Sequence, residues 1–125
     1  MREPTIYGNQ TFEDYLLVLK KKYTLVHFDY FQSNVEGEII NELHRADKKY
    51  EGIILNAGAY THTSLAIADA VAAITTPVVE VHISNIFARE DSRHVSYLGK
   101  HCKGSVTGFG LTSYEIALQS FLLKN

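Results

Sequence analysis

The chain has 125 residues, 46% of them hydrophobic and 21% charged, which is typical of one soluble globular domain spanning residues 1–125. Its net charge of −2 argues against a general attraction to nucleic acid or to an anionic membrane. The one cysteine, Cys102, excludes an intramolecular disulfide and a cysteine-rich zinc site. Because the sequence shows neither a signal peptide nor a run of about 18 apolar residues, we expect a cytoplasmic protein with no membrane or nucleic-acid partner.

The first third of the chain carries two helix patterns and one strand pattern. A first helix is predicted by apolar residues at helical spacing, namely Phe12, Tyr15, Leu16 and Leu19. Residues 23–31 (YTLVHFDYF) are rich in β-branched and aromatic side chains and predict a strand. Ser33 followed by Glu36 is a helix-capping signal. The second helix that it opens has an apolar stripe of Ile39, Ile40, Leu43 and Ala46.

The middle of the chain predicts two buried strands separated by a helix. Gly52 to Leu55 is a short continuous apolar run, which is typical of a parallel strand covered on both faces. The alanine-rich segment from about Ser64 to Ile74 predicts a helix. Pro77 then precedes a second buried run, Val78 to Ile83, and a proline is tolerated at the start of a strand.

The last third of the chain predicts a long loop, a strand and a closing helix. Residues 84–103 are polar and charged, and we expect a loop that contains an irregular or helical piece. Gly104 to Phe109 predicts a weaker strand. Thr112 to Leu123 predicts a helix that begins with a capping box formed by Thr112 and Glu115.

The predicted elements follow the order α-β-α-β-α-β-loop-β-α. Such alternation implies right-handed βαβ units and a parallel sheet with helices on both faces. The predicted fold class is therefore α/β, a doubly wound, three-layer sheet of the flavodoxin type. In that fold the first strand lies inside the sheet, whereas this sequence begins on a loop and a helix.

Polar residues that follow the predicted strands are candidates for a site, because ligands of open parallel sheets bind beyond the carboxyl ends of the strands. Three stretches are candidates: residues 56–64 and 82–93 follow predicted strands, and residues 2–8 precede the first predicted helix. Asn56 and Gly58 also fit a simple turn from strand to helix. His62 likewise fits a purely structural role at the start of a helix.

Glu80 and His82 form the strongest local pair. Because they are two residues apart in a strand, their side chains lie on the same face. A carboxylate beside an imidazole orients the ring and favours its protonated form, which suits a general acid, and by spacing alone catalysis and structure fit equally well. Tyr7 and Arg2 share a loop, and a phenol becomes a useful base only where cationic neighbours favour the phenolate.

Other chemistries find little support in the sequence. The six histidines show no close-paired ligand spacing and Cys102 has no second cysteine, so we expect no metal site. The segment GSVTG (residues 104–108) has valine where a serine nucleophile elbow requires serine. The phosphate-binding pattern GxxxxGK[ST] is absent, which argues against a nucleotide site of that kind.

Four longer motifs occur in order along the chain. They are RExxIYG (residues 2–8), FQSNxEGE (residues 31–38), NxGAYTHTS (residues 56–64) and VEVHISNxxARExxR (residues 79–93). With these motifs the sequence resembles the type II 3-dehydroquinate dehydratases over nearly its whole length, from Arg2 into the last helix.

The resemblance implies a lyase of the shikimate pathway that dehydrates 3-dehydroquinate to 3-dehydroshikimate without a metal or organic cofactor. By the matching motifs, Tyr7 is the base that removes a proton beside the ketone, and Arg2 and Arg89 are the cations that favour its phenolate. The resulting enolate then loses the C1 hydroxyl as water. His82 protonates that hydroxyl, and Glu80 orients His82.

The resemblance also implies substrate contacts, a lid and an assembly. The implied substrate-binding groups are the backbone amides of Ile83 and Ser84 and the side chains of Asn56, His62 and Arg93. The base and its two cationic neighbours lie on a mobile lid. Asp69 reaches the site of a neighbouring subunit in a homo-oligomer, a dodecamer built from trimers.

One segment of the family pattern has no counterpart in this sequence. Family members begin with a strand ending in a motif of the form NGPNLNLLG, whose first asparagine stabilises the enolate. Losing such a central strand removes roughly five or six buried apolar side chains at ~1.5–3 kcal/mol each, comparable to a domain's whole stability of ~5–15 kcal/mol. We therefore favour a truncated sequence over a natural enzyme that lacks this strand.

Two further hypotheses compete with the lyase. The first is a non-catalytic or weakly active remnant that binds dehydroquinate-like ligands or only assembles with other subunits. The presence together of Tyr7, His82, Arg2 and Arg89 argues against it. The second, a flavin or nucleotide carrier, rests on fold analogy alone.

Overall fold

The computed structural model describes residues 11–58, 60–84 and 98–123, with the backbone alone described at residue 62. Backbone contacts divide the chain into two units, Met1–Phe31 and Gln32–Asn125, and each unit is described by itself. Among the described residues, no helix is both long enough and apolar enough to cross a membrane.

The first unit contains the helix α1, Phe12–Lys22, which the apolar spacing predicted. Thr11 caps it, because its side-chain oxygen accepts a hydrogen bond of 3.1 Å from the backbone N–H of Asp14. Tyr15 and Leu19 are the buried residues of its apolar face. Acidic residues occupy its first turn and lysines its last, an arrangement that complements the helix dipole.

The strand predicted at residues 23–31 is wrong, since no strand is assigned to this segment. A strand is stabilised by ladder hydrogen bonds and by burial of one face, and β-propensity by itself is weak. Leu25 is fully exposed, and Tyr30 and Phe31 are 42% and 47% exposed, so the segment lacks a buried face. One contact of this segment is a ring pair between Tyr30 and Phe12 of α1, with centroids 4.7 Å apart.

The second unit contains the sheet, which consists of β1 (Ile53–Leu55), β2 (Val78–His82) and β3 (Gly104–Thr107). The described strands are parallel and lie in the order β1-β2-β3. The register aligns Leu55 with Glu80, Glu80 with Ser105, and His82 with Thr107. The predicted parallel sheet is confirmed for these three strands.

Helices cover both faces of this sheet. They are α2 (Glu36–Ala46), α3 (Tyr60–Thr63), α4 (Leu65–Ala73), a 3-10 helix (Gly99–His101) and α5 (Thr112–Leu122). The helices expected near residues 36–46, 64–74 and 112–123 are thus confirmed. This three-layer arrangement is that of a flavodoxin-like α/β fold. The first strand of the family has no counterpart in the sequence, so the described residues do not test the expectation about it.

Two apolar clusters lie on opposite faces of the sheet, as the alternation of side chains along a strand requires. The first joins Val78 of β2 to residues of α2 and α4, including Leu43, Ile67 and Val71. The second joins Val79 and Val81 to Ala117 of α5. Glu80 and His82 have the parity of Val78 and therefore lie on the α2–α4 side of β2.

Two helix caps differ from their predictions. Ser33 and Thr112 are not N-caps, because α2 is preceded by Val35 and α5 by Leu111, neither with a side-chain cap. The Ser33 hydroxyl instead accepts a hydrogen bond of 2.9 Å from the Val35 N–H and donates to Glu38. A capping residue needs an extended backbone, and Leu111 is already helical, with φ of −63° and ψ of −26°.

Candidate active site

The carboxyl end of β2 brings Glu80 and His82 together, as the sequence predicted. Both residues are buried, with exposures of 3% and 6%. Nε2 of His82 lies 3.2 Å from Oε2 of Glu80, within reach of a hydrogen bond. A buried carboxylate needs polar partners, and the imidazole is one of them. The buried Glu80 carboxylate therefore contacts the imidazole and restrains the orientation of its ring.

The second oxygen of the Glu80 carboxylate is held by the neighbouring strand. The Ser105 hydroxyl donates a hydrogen bond of 2.6 Å to Oε1 of Glu80. The parallel register, which aligns these two residues, places them side by side. Each carboxylate oxygen of Glu80 thus has its own partner. Oε1 accepts from the Ser105 hydroxyl on β3, and Oε2 contacts the His82 imidazole.

The backbone after β2 is tied down by the turn that follows β3. The Gly108 N–H donates to the carbonyl of His82 at 3.0 Å, and the Gly110 N–H donates to the carbonyl of Ile83 at 2.8 Å. The Thr107 hydroxyl donates to the next carbonyl, that of Ser84, at 3.1 Å. Both glycines have positive φ, 96° and 60°, which allows the tight turn.

These contacts fix the direction of two backbone amides. In a planar trans peptide the N–H points away from the preceding carbonyl, and the described residues contain no cis peptide bond. The N–H groups of Ile83 and Ser84 are therefore directed away from the turn that binds the carbonyls of His82 and Ile83. Ile83 and Ser84 are themselves exposed. Two adjacent N–H groups in this arrangement suit a carboxylate ligand.

Asn56 follows β1 at the same end of the sheet. Its side-chain oxygen accepts a hydrogen bond of 3.0 Å from the Gly58 N–H, which is the turn that the sequence allowed. Its amide nitrogen donates to the hydroxyl of Tyr114 on α5, also at 3.0 Å. Asn56 therefore forms the turn and also has a defined side-chain position, because the contacts of its oxygen and its nitrogen orient the exposed amide.

Contacts between two of the sequence motifs stabilise the segment after Asn56. The Ser64 hydroxyl caps α4 by accepting from the Ile67 N–H at 3.0 Å, and it donates to the Glu36 carboxylate. The Tyr60 hydroxyl donates to the carbonyl of Asn34 at 3.1 Å. The motifs at residues 31–38 and 56–64 thus meet in the structure, which gives both of them a structural role.

The structure describes only some of the remaining predicted site residues. Asp69 is exposed on α4. The backbone of His62 belongs to α3, and its side chain lies outside the described residues. Arg2, Tyr7, Arg89 and Arg93 also lie outside the described residues.

Cys102 lies close to this site, but its thiol is expected to have low reactivity. Burial raises the pKa of its thiol to about 12, and the negative charge of Glu80 acts in the same direction. The thiol therefore stays protonated and is a poor nucleophile or metal ligand. Within the described ranges, no three His, Cys, Asp or Glu side chains are grouped to hold a metal ion.

Three contributors to the site were missed by the sequence reasoning, namely Ser105, Thr107 and Tyr114. Ser105 and Thr107 alternate along β3, so they share one face and pair with Glu80 and His82. This alternation was visible in the sequence, but its meaning depends on the strand register. Tyr114 contacts Asn56 across 58 positions, and no local pattern carries such a contact.

Comparisons with known proteins agree on one family. The family model described as dehydroquinase class II matches residues 1–122. A 3-dehydroquinate dehydratase of Caldicellulosiruptor bescii is 50% identical over 121 residues, covering 94% of this chain and 83% of the relative. A protein of the same name from Exiguobacterium sp. is 52% identical over 122 residues, covering 97% and 83%.

Solved structures show the same relationship. The type II dehydroquinase from Butyrivibrio crossotus superimposes with a TM-score of 0.85 at 39% identity, covering 98% of this chain and 88% of its own. The type II dehydroquinase from Propionibacterium acnes gives a TM-score of 0.83 at 33% identity, covering 90% and 85%. Since the family model, the relatives and these structures cover nearly the whole chain, the chain belongs to the class II dehydroquinase family.

Proposed function

We propose that this chain catalyses the dehydration of 3-dehydroquinate to 3-dehydroshikimate, a step of the shikimate pathway. The observation that carries the proposal is the buried pair of Glu80 and His82 at the carboxyl end of β2. Ligands of open parallel sheets bind at that end, and a carboxylate-oriented imidazole is suited to proton donation. Membership of the class II dehydroquinase family supports the same reaction.

The reaction divides into two proton transfers. Tyr7, as phenolate, takes a proton from the carbon beside the ketone, and Arg2 and Arg89 stabilise the phenolate. The electron pair of the broken C–H bond then forms an enolate. When the enolate collapses, the bond to the C1 hydroxyl breaks, and His82 supplies the proton that lets the hydroxyl leave as water. A general acid acting from this ring uses Nδ1, because Nε2 faces Glu80.

The substrate carboxylate binds the backbone amides of Ile83 and Ser84 in this proposal. Support comes from the carbonyls of His82 and Ile83, whose hydrogen bonds direct those two amides away from the turn after β3. The ring hydroxyls bind three side chains, namely Asn56, His62 and Arg93. For Asn56, the contacts to Gly58 and Tyr114 that orient its amide support this role.

We further propose a cytoplasmic homo-oligomer, a dodecamer built from trimers, in which Asp69 reaches the site of a neighbouring subunit. The exposure of Asp69 on α4 supports this role, because a residue that acts in another subunit has to lie at the surface of its own. We also propose that residues 1–125 form one domain, which is supported by a family match that runs from residue 1 to residue 122.

The proposed function is tested by turnover of 3-dehydroquinate, measured through the absorbance of the conjugated enone product. Product formation by the wild-type chain supports the proposal, and Tyr7→Phe is expected to lose about 10²–10⁴-fold in kcat, the usual contribution of a positioned base. Turnover that is indifferent to Tyr7→Phe would remove Tyr7 from its role. Binding of 3-dehydroquinate without turnover by the wild-type chain would favour the non-catalytic remnant instead.

A further inference from the structure

The Glu80 carboxylate is held from two sides, and only one of its partners is the imidazole. Oε2 faces Nε2 of His82 at 3.2 Å, while Oε1 accepts the Ser105 hydroxyl at the shorter distance of 2.6 Å. The oxygen with the shorter hydrogen bond is thus the one that does not contact the histidine. A hydrogen bond between a hydroxyl and a carboxylate is charge-assisted and is among the stronger protein hydrogen bonds.

We propose that Ser105 is a positioning residue that acts through Glu80 on His82, and this inference rests on the proposed function. The carboxylate of Glu80 rotates about its terminal torsion, which is broad and weakly restrained by itself. A hydrogen bond to Oε1 stops that rotation and fixes the direction of Oε2. Because Oε2 sets the orientation of the imidazole, Ser105 determines where the proton of His82 points.

The backbone pairing of β3 is independent of the Ser105 side chain. The register between β2 and β3 rests on main-chain hydrogen bonds at four aligned pairs, from Val79 with Gly104 to His82 with Thr107. Ser105 is also an exposed residue, so replacing it by alanine leaves no cavity in either apolar cluster. Loss of the hydroxyl is therefore expected to change catalysis and leave the fold intact.

The first experiment compares Ser105→Ala with Ser105→Thr in the assay of 3-dehydroquinate turnover. Ser105→Ala is expected to lower kcat about 10-fold with little change in KM, since a charge-assisted hydrogen bond is lost and the substrate contacts stay. Ser105→Thr keeps a hydroxyl at this position and is expected to recover most of the lost kcat. Thr112→Ala, which removes an exposed hydroxyl at the start of α5, serves as the matched control.

The second experiment asks whether Ser105 acts through Glu80. In a background of Glu80→Ala, a further change of Ser105→Ala is expected to lower kcat no more, because the carboxylate that it positions is gone. Independent losses that multiply in the double variant would overturn the proposal. So would a wild-type kcat for Ser105→Ala, or a loss confined to KM.

A measurement without turnover separates this inference from the proposed function. The ¹⁵N resonances of the His82 ring, assigned by comparison with His82→Asn, report the hydrogen bond made by Nε2 at neutral pH. Ser105→Ala is expected to shift the Nε2 resonance, and Thr112→Ala is expected to leave it unchanged. An unshifted Nε2 resonance in Ser105→Ala would contradict the positioning role even if the chain formed no product. A shifted resonance in an inactive chain would contradict the proposed function alone.

Discussion

The hydroxyl of Thr107 donates a hydrogen bond of 3.1 Å to the backbone carbonyl of Ser84. This contact closes a set of three, in which the successive carbonyls of His82, Ile83 and Ser84 are all bound by the end of β3 and the turn after it. The segment that follows β2 is thereby held in one conformation. Its amides are the groups that we propose for the substrate carboxylate.

Replacing Thr107 by valine keeps the shape of the side chain and removes the hydroxyl. We expect Thr107→Val to raise KM for 3-dehydroquinate about 3- to 10-fold, because the amides of Ile83 and Ser84 become less well ordered. Since His82 keeps its contact with Glu80, the change in kcat is expected to be smaller. Steady-state kinetics check this split, with Thr107→Ser as the control that retains the hydroxyl. A loss in kcat at constant KM would be at odds with the carboxylate site.

Asp47, at the end of α2, accepts hydrogen bonds from the turn before β2. Hydrogen bonds from the backbone and side chains of Thr76 and Thr75 hold the pKa of Asp47 below its ordinary value of 3.8. Because the folded-state pKa is lowered, the stabilisation is present above pH 3.8 and is lost as the pH falls through the folded-state value. The charge of Asp47 therefore supports folding at neutral pH and not in acid.

We expect Asp47→Asn to lower the melting temperature at pH 7 and to match the wild type in acid, where the wild-type carboxyl is itself protonated. Thermal unfolding followed across this pH range checks the prediction. Glu51→Gln removes an exposed carboxylate just before β1 and is the control, expected to show no comparable pH-dependent difference. A constant gap between Asp47→Asn and wild type at every pH would rule out linkage to this carboxyl.

Gly52 lies just before β1 at a close approach to α5. A methyl group at this position would lie 2.5 Å from Cε1 of Phe121, well inside van der Waals contact. Gly52→Ala is therefore expected to displace the ring and to lower the free energy of unfolding by about 1–3 kcal/mol. Chemical denaturation measures this change, and Phe121→Leu is expected to suppress part of it.

The control for that variant is Gly37→Ala on α2. Nothing lies within 4 Å of a methyl group at Gly37, so the higher helix propensity of alanine is expected to act alone. The expected effect is a stabilisation of up to about 1 kcal/mol. Equal effects of Gly37→Ala and Gly52→Ala would show that the contact with Phe121 is unimportant.

Cys102 is expected to react slowly with disulfide reagents in the folded protein. Burial, and secondly the charge of Glu80, raise the pKa of the thiol to about 12, so very little thiolate forms at pH 8. Labelling followed by mass spectrometry is expected to be much faster in denaturant than in buffer. Equal labelling rates under the two conditions would mean that the thiol is neither buried nor subject to the negative charge of Glu80.

Much of the fold could be predicted from local sequence patterns. The helices α1, α2 and α4 and the strands β1 and β2 follow the apolar spacing closely, because the apolar residues that define this spacing are largely removed from water in the structure. The Glu80–His82 contact could also be predicted from the sequence, since residues two apart in a strand share a face.

The errors arise where local signals do not determine the structure. Residues 23–31 have a strand composition, but a strand needs a neighbour that supplies its ladder, and composition does not report on that neighbour. The role of Ser105 depends on the register between β2 and β3, which is set by packing across the whole sheet. The same holds for Tyr114, which meets Asn56 from a distant helix.

The central claim is that this chain dehydrates 3-dehydroquinate with His82 as the general acid. The most direct test compares His82→Asn with wild type in deuterated water, following both product formation and exchange of the proton beside the ketone. We expect His82→Asn to lower dehydration about 10²–10⁴-fold while that exchange continues, because removal of the proton does not require the acid. Dehydration by His82→Asn at the wild-type rate would contradict the account.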